Sequence, residues 1–180
     1  MDAYITTYGG SRFMPTDPRA EDVHITDIAH ALSYICRGNG HVKTFFSVGQ
    51  HCLHCALEAE ARGHSPRVVL ACLLHDAAEA YMSDVPRPFK PYLTEYKGFE
   101  DRLLAVIYEK YLGSPLTAEE EALVKGIDDD TLYFNLRDLL NNPPEGPVPD
   151  MKTKFPQTFR PFEEVEREYL EIFEKYRKRI

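Results

Sequence analysis

Between Pro66 and Leu74 the chain gives a helix almost no polar side to turn toward water. Val68, Val69, Leu70, Cys72, Leu73 and Leu74 occupy nearly its whole circumference at 100° per residue. Such a helix has to be surrounded by others, which already points to a bundle with this segment near its axis. Ser65 followed by Pro66 is a strong helix start, and the pattern predicts a helix from Pro66 to about Met82. Into the same segment the sequence places His75, Asp76 and Glu79, with Asp84 just beyond, in the run HDAAEAYMSDVP. Ionisable groups in an apolar setting are costly unless they are paired or hold a metal.

The remaining elements follow from periodicity and caps. Thr26 can cap a helix through Ile28, Ala29, Leu32, Ile35 and Cys36 to Arg37, stopped by the GNG run at Gly38–Gly40. Ser47 can cap the next, ending near Gly63. Amphipathic helices are expected from about Thr94 to Leu112, from a Thr117/Glu120 capping box to about Leu140, and from Pro161 to Arg179. Residues 1–25 read as an irregular arm with a short extended piece near Tyr4–Tyr8. The segment NNPPEGPVPD opens a proline-rich surface loop over 141–160. The fold class expected is all-α, a single-domain helical bundle of about six main helices.

With 180 residues the chain suffices for one substantial core. A net charge of −8, with no basic cluster before the final YRKRI, argues against a nucleic-acid polymer as partner. It leaves room for a small phosphorylated substrate held by a few local cations or a metal. No apolar run reaches the ~18–20 residues of a membrane span. The opening MDAYITTYGG has no secretory pattern, so a cytoplasmic location is expected. Cys36, Cys52, Cys55 and Cys72 fall in apolar helical contexts. Cys52-x-x-Cys55 has no second ligand pair at zinc-site spacing, and buried free thiols are the expectation.

On a regular helix His75 and Glu79 share a face and Asp76 stands one step round, an arrangement open both to a metal and to a hydrogen-bonded His–carboxylate network. His51 borders the apolar face of its helix, beside Val48, Cys55 and Ala59, whereas His54 falls with Gln50 and Glu58 on a polar side. His51 is therefore the better ligand and His54 an edge or solvated histidine. In the triplet Asp128-Asp129-Asp130, helical projection turns Asp128 between Val124 and Leu139, sends Asp129 outward and leaves Asp130 near the edge.

The order His … His-Asp … Asp, with HDAAEAYMSDVPRP and VKGID in place, resembles the HD-domain metal-dependent phosphohydrolases. GQH, HDAAEAYMSDVPRPFK, VKGID, LRDL and the upstream DIAHALSYICRGNGHVKTFFSVGQH resemble the bacterial and prophage-type 5′-deoxynucleotidase branch, over about Ile25 to Leu139. The resemblance implies metal ligation by His51, His75, Asp76 and Asp128, and work by Glu79 and Asp84 on the attacking water and the phosphate. It also implies that Arg37 and His41 reach the substrate. Relatives in that branch tend to carry a bulky aromatic after the arginine, where this chain has Gly38.

Two imidazoles and two carboxylates suit a divalent cation such as Mn²⁺, Co²⁺, Fe²⁺, Ni²⁺, Zn²⁺ or Mg²⁺, without naming one. The expected activity is hydrolysis of (deoxy)nucleoside 5′-monophosphates. Other small phosphoesters, a nucleoside triphosphate or a cyclic nucleotide, are the alternatives within the enzyme class. A non-catalytic regulatory module that binds metal or nucleotide is the alternative outside it. The apolar faces of the 94–112 and 161–179 helices can serve either a homodimer or the chain's own core.

Overall fold

The computed structural model describes residues 4–180. It is an all-α bundle of six main helices with a two-stranded hairpin as its only sheet among the described residues. The expected arm is more ordered than its turn-rich sequence suggests. Ile5–Thr6 (β1) pairs antiparallel with Arg12–Phe13 (β2), and Phe13 is fully buried, its ring 4.0 Å from that of Tyr81. Asp27 accepts a 2.6 Å hydrogen bond from the Gly9 amide, and a Cβ on Gly9 would come within 2.9 Å of that carboxylate.

Helix α1 (Ile25–Tyr34) leads into α2 (Val48–Ala61) and α3 (Pro66–Leu74), which form the inner part of the bundle. They are followed by α5 (Thr94–Leu112), α6 (Ala118–Leu139) and α7 (Phe162–Arg177). Seven consecutive residues of α3, Val68 to Leu74, are buried, and the helix packs against α2, α5, α6 and α7. Ser47 and Thr117 each make the reciprocal capping box at the start of α2 and α6. The apolar stripe of α7, Val165, Tyr169, Ile172, Phe173 and Tyr176, lies inside the chain's own core against α1, α2 and α3. No helix of the described residues is long and apolar enough to cross a membrane.

The helix expected from Pro66 to Met82 is not continuous. It stops at Leu74, and the chain passes through tight turns to a four-residue helix, α4 (Glu79–Met82). The amides of Ala77, Glu79, Ala80 and Tyr81 each bond to the carbonyl three residues back, not four. His75 supplies one cause. Its Nδ1–H donates at 2.7 Å to the Cys72 carbonyl, which a regular helix would give to the amide of Asp76. Beyond α4, Ser83 has φ 74° and ψ 156°, a region that glycine alone adopts freely, and it turns the chain so that Asp84 lines a cavity.

A second correction concerns the polar side of α2. His54 is neither solvated nor at an edge: it is 3% exposed, and Gln50 and Glu58 are fully buried. The polar face is covered by the latter part of the proline-rich segment, whose first ten residues are largely exposed, as expected of a surface loop. Gln50 Nε2 donates to the Thr158 carbonyl, and His54 stacks on Phe155 with ring centroids 4.1 Å apart. Glu58 accepts from Arg62, from the amides of Lys152 and Thr153 and from the Thr153 hydroxyl. Positions 50, 54 and 58 thus form a polar stripe at i, i+4 and i+8 that fastens a strap over 152–158. Cys52, Cys55 and Cys72 are buried free thiols, while Cys36 lies outside any α-helix, half-buried, in a bridge to Ser47.

Candidate metal centre

Three helices bring the titratable groups together. His51 comes from the middle of α2, His75 and Asp76 from the turn that ends α3, and Asp128 from α6. His51 Nε2 is 3.0 Å from Asp128 Oδ1 and 3.9 Å from Asp76 Oδ2. His75 Nε2 is 3.3 Å from Asp76 Oδ2 and 3.6 Å from Asp128 Oδ1. Donors about 2.0–2.2 Å from a common ion stand about 3.0–3.6 Å apart, so the spacing is that of an ion-sized shell.

Tautomers sharpen the point. His75 Nδ1 carries the proton it gives to the Cys72 carbonyl, leaving Nε2 as a buried atom with no hydrogen-bond partner. His51 Nδ1–H donates at 3.0 Å to Asn135 Oδ1. The Asn135 amide is oriented by its own 2.7 Å donation to Gln157 Oε1, and Gln157 Nε2 in turn donates to the Phe155 carbonyl. Both Nε2 lone pairs therefore point toward carboxylate oxygens. Acceptors facing acceptors need a cation between them, a proton or a metal ion.

The charges of the protein alone agree with this reading. Burial opposes the charged form of His75, yet Asp76 and Asp128 raise its pKa well above the ordinary histidine value. Burial and Arg37 hold His51 below that value despite Asp128. Asp76 and Asp128 are half-buried, and loss of solvent alone would raise them, but His75, His51 and, for Asp76, Arg37 draw both far below the usual carboxylate range. Among the described residues, one ligand atom from each of His51, Cys55, His75 and Asp128 falls within 4.8 Å of all the others. The same holds for Cys52, His75 and Asp76. A buried His/Cys/Asp cluster able to hold a metal ion is thus present.

A cavity of about 330 Å³ opens onto the cluster, within the size range of ligand pockets. Its polar lining includes Arg37, Glu79, Asp84, Arg87 and Lys90, and its apolar lining Val42, Leu132, Leu136, Leu139 and Leu140. Arg37 donates from Nη1 to Asp76 Oδ2 at 3.2 Å. Burial works against its charge, but Asp76, Asp84, Glu79 and Asp128 more than offset this and keep it protonated. Glu79 is 3% exposed, with Oε1 3.4 Å from Lys90 Nζ and Oε2 unpartnered. Burial, Asp76 and Asp84 push its pKa well above the ordinary value. His41 is exposed at the cavity wall, and Gly38 beside it adopts φ 59°, a left-handed conformation that glycine takes without strain.

No family model matches the chain. The uncharacterized protein YfdR of Escherichia coli (strain K12) is 39% identical over 109 residues, 61% of this chain and 58% of its own. An uncharacterized protein of Rhodobacter capsulatus is 35% identical over 125 residues, 66% of this chain and 64% of its own. The matched span is therefore less than two thirds of either relative's length.

Several residues at this site carry no strong sequence signal. Asn135 lies seven residues after Asp128, two turns along the same face of α6, and its position between apolar neighbours was the available cue. Arg87 donates to Asp128 Oδ2 at 2.8 Å and to Asp129 Oδ1 at 2.6 Å. Lys90 bridges Glu79 and Glu100. Both follow Asp84 in the run DVPRPFK. Gln157 could be placed here only by the fold, whereas Cys55 is one turn from His51 on the same face of α2.

Proposed function

We propose that the chain is a metal-dependent phosphomonoesterase of the HD type, acting on (deoxy)nucleoside 5′-monophosphates. The observation that carries the proposal is the convergence of two imidazole lone pairs and two carboxylates at a cavity that also holds Glu79 and three cations. His51, His75, Asp76 and Asp128 would hold a divalent ion. That ion would supply charge neutralisation for the phosphate and a lowered pKa for water, the two things monoester hydrolysis needs.

The chain's own groups have separable tasks in this reading. Arg37 holds phosphate oxygens through its fork of donors, and Lys90 adds positive charge beside them. Glu79, with Oε2 free, takes the proton of the attacking water. Its raised pKa suits an exchangeable proton, and a cation nearby would lower that value toward the working range. Asp84 is the second carboxyl available for proton traffic on the phosphate side, and His41 a rim contact for the substrate. The apolar lining of Val42, Leu132, Leu136 and Leu139 suits a nucleoside, and Gly38 leaves the space beside Arg37 open.

A phosphate-release screen over ribo- and deoxynucleoside monophosphates, each with Mn²⁺, Co²⁺, Zn²⁺ or Mg²⁺, tests the proposal. Metal-dependent release from the monophosphates is expected. No release from any nucleotide with any ion, by protein shown to bind metal, would leave a binding module in its place.

A further inference from the structure

The strap over 152–158 reaches the candidate centre through one side chain. Along it Thr153, Phe155 and Gln157 are half-buried and the residues between them exposed, the two-residue alternation of an extended segment lying on a surface. Thr153 ends on Glu58 and Phe155 on His54, whereas Gln157 ends on Asn135, which is 2% exposed and bonded to His51. The polarity of this relay is fixed at its far end. The Phe155 carbonyl can only accept, so the Gln157 amide nitrogen faces it at 2.9 Å and the Gln157 oxygen is left to accept from Asn135 Nδ2. Asn135 then has only its oxygen for His51, which must carry its proton on Nδ1. Asp128 favours the opposite. Its Oδ1 lies 3.0 Å from His51 Nε2, the distance of the hydrogen bond that a proton on Nε2 would make. Two tautomers of neutral His51 therefore compete, one selected by a main-chain carbonyl in the strap and the other by the carboxylate beside the ring.

We infer that Gln157 is a positioning residue of the metal centre: through Asn135 it holds His51 in the Nδ1–H tautomer and keeps Nε2 bare for an ion. The inference rests on the metal-centre reading above. Gln157 touches neither the ion nor the substrate in this role. A neutral histidine offers a lone pair only on the nitrogen without a proton, and the hydrogen bond made by the other nitrogen decides which one that is. Without the Gln157 amide, Asn135 is free to turn its nitrogen toward His51 Nδ1. The proton then leaves Nδ1 and stands on Nε2, where Asp128 accepts it, with no change in the charge of the ring. An ion has to displace that proton before it can bind, so the strap tunes metal affinity from outside the ligand set.

The test uses the full chain with ¹⁵N-labelled histidine, first stripped of metal at mildly alkaline pH and then titrated with Co²⁺. The nitrogen spectrum of His51, assigned by its absence in His51→Gln, reports the tautomer, and the titration reports affinity. Wild type is expected to carry the proton on Nδ1. Gln157→Met, similar in length but without an amide, should move it to Nε2 and weaken Co²⁺ binding about 10–100-fold, the usual cost of losing an outer partner of a ligand. Gln157→Glu, whose carboxylate still accepts from Asn135, should keep the proton on Nδ1 and bind Co²⁺ more tightly than Gln157→Met. Thr153→Val loosens the strap without touching the relay and should leave tautomer and affinity at their wild-type values. Equal losses in Thr153→Val and Gln157→Met make Gln157 a strap anchor only and overturn the inference. Unchanged tautomer and affinity in Gln157→Met overturn it too, and leave the metal centre standing. A wild-type His51 protonated on Nε2 overturns it even if Gln157→Met does not fold. Wild-type protein that binds no Co²⁺ overturns the metal-centre reading, and this inference with it.

Discussion

At the scale of single residues, neighbours in sequence have unlike surroundings. Asp128 and Asp129 are both half-buried, but Asp128 faces both imidazoles, while the Asp129 side chain, 43% exposed, is held by Lys125 and Arg87, and Asp130 pairs with Arg62. Asp128→Asn removes an anionic donor and is expected to lower metal stoichiometry and turnover together. Asp129→Asn is expected to keep both, since exposed ion pairs contribute little. Metal analysis and kcat for the two variants make the comparison, and a dead Asp129→Asn beside an active Asp128→Asn would reassign the ligand. Glu79 is different again, because it reaches the cavity without being needed to hold the ion. Glu79→Gln should retain metal and lose about 10²–10⁴ in kcat, and near-normal turnover would make Glu79 a structural partner of Lys90.

At the scale of elements, the strap over 152–158 and the turn after α4 carry measurable energies. Burial raises the Glu58 pKa, but the donors from Thr153, Lys152 and Arg62 outweigh it and hold the group below the ordinary value. A depressed carboxylate contributes stability that is fully present above the unfolded value of about 4.3–4.5 and lost as pH falls through the folded value. His54 acts at higher pH. Burial first, then His51 and Arg160, lowers its pKa to about 3, so it stays neutral in the fold. The unfolded chain takes up a proton there below about pH 6.5, and stability falls from that point downward. Denaturation midpoints measured at pH 7.5, 6 and 5 should decline for the wild type and flatten in His54→Phe. An unchanged slope would assign the decline to other groups. Glu58→Gln should cost about 1.5–3 kcal/mol at neutral pH, the range for hydrogen bonds to a charged group. The glycine-only conformation of Ser83 gives the opposite expectation. Ser83→Gly should raise stability by a fraction of the ~1–3 kcal/mol that such strain stores, and a fall in melting temperature would show that the hydroxyl is the stronger effect.

At the scale of the whole molecule, the candidate centre ties α2, the end of α3 and α6 to one point. An ion there acts as a cross-link between helices and stabilises only the folded state. At an ion concentration 100-fold above Kd the linkage is worth about 2.7 kcal/mol, a melting shift of roughly 5–10 °C for a chain of this length. Chelation followed by re-addition of Mn²⁺ or Co²⁺, followed by calorimetry, should lower and then restore the melting temperature. A melting temperature indifferent to both treatments would mean that the cluster is held by protons and hydrogen bonds.

What the sequence by itself determined is the helical bundle and its axis. Unbroken apolarity from Val68 to Leu74 leaves burial on all sides as the only stable course, and cap residues at Ser47, Ser65 and Thr117 set helix starts within the chain. Residue spacing also singled out His51 and Asp128 as groups turned toward apolar faces, because helical projection needs nothing beyond the local period. The tertiary structure alone decided the rest. The helix ends at Leu74 because a side chain takes a backbone carbonyl, a competition that periodicity does not register. Gln50, His54 and Glu58 read as a solvent face because their partners lie about 94 to 108 residues away. Asn135 and Gln157 join the candidate centre for the same reason: contacts between segments far apart in the chain, not the local pattern, set which groups surround one ion-sized space.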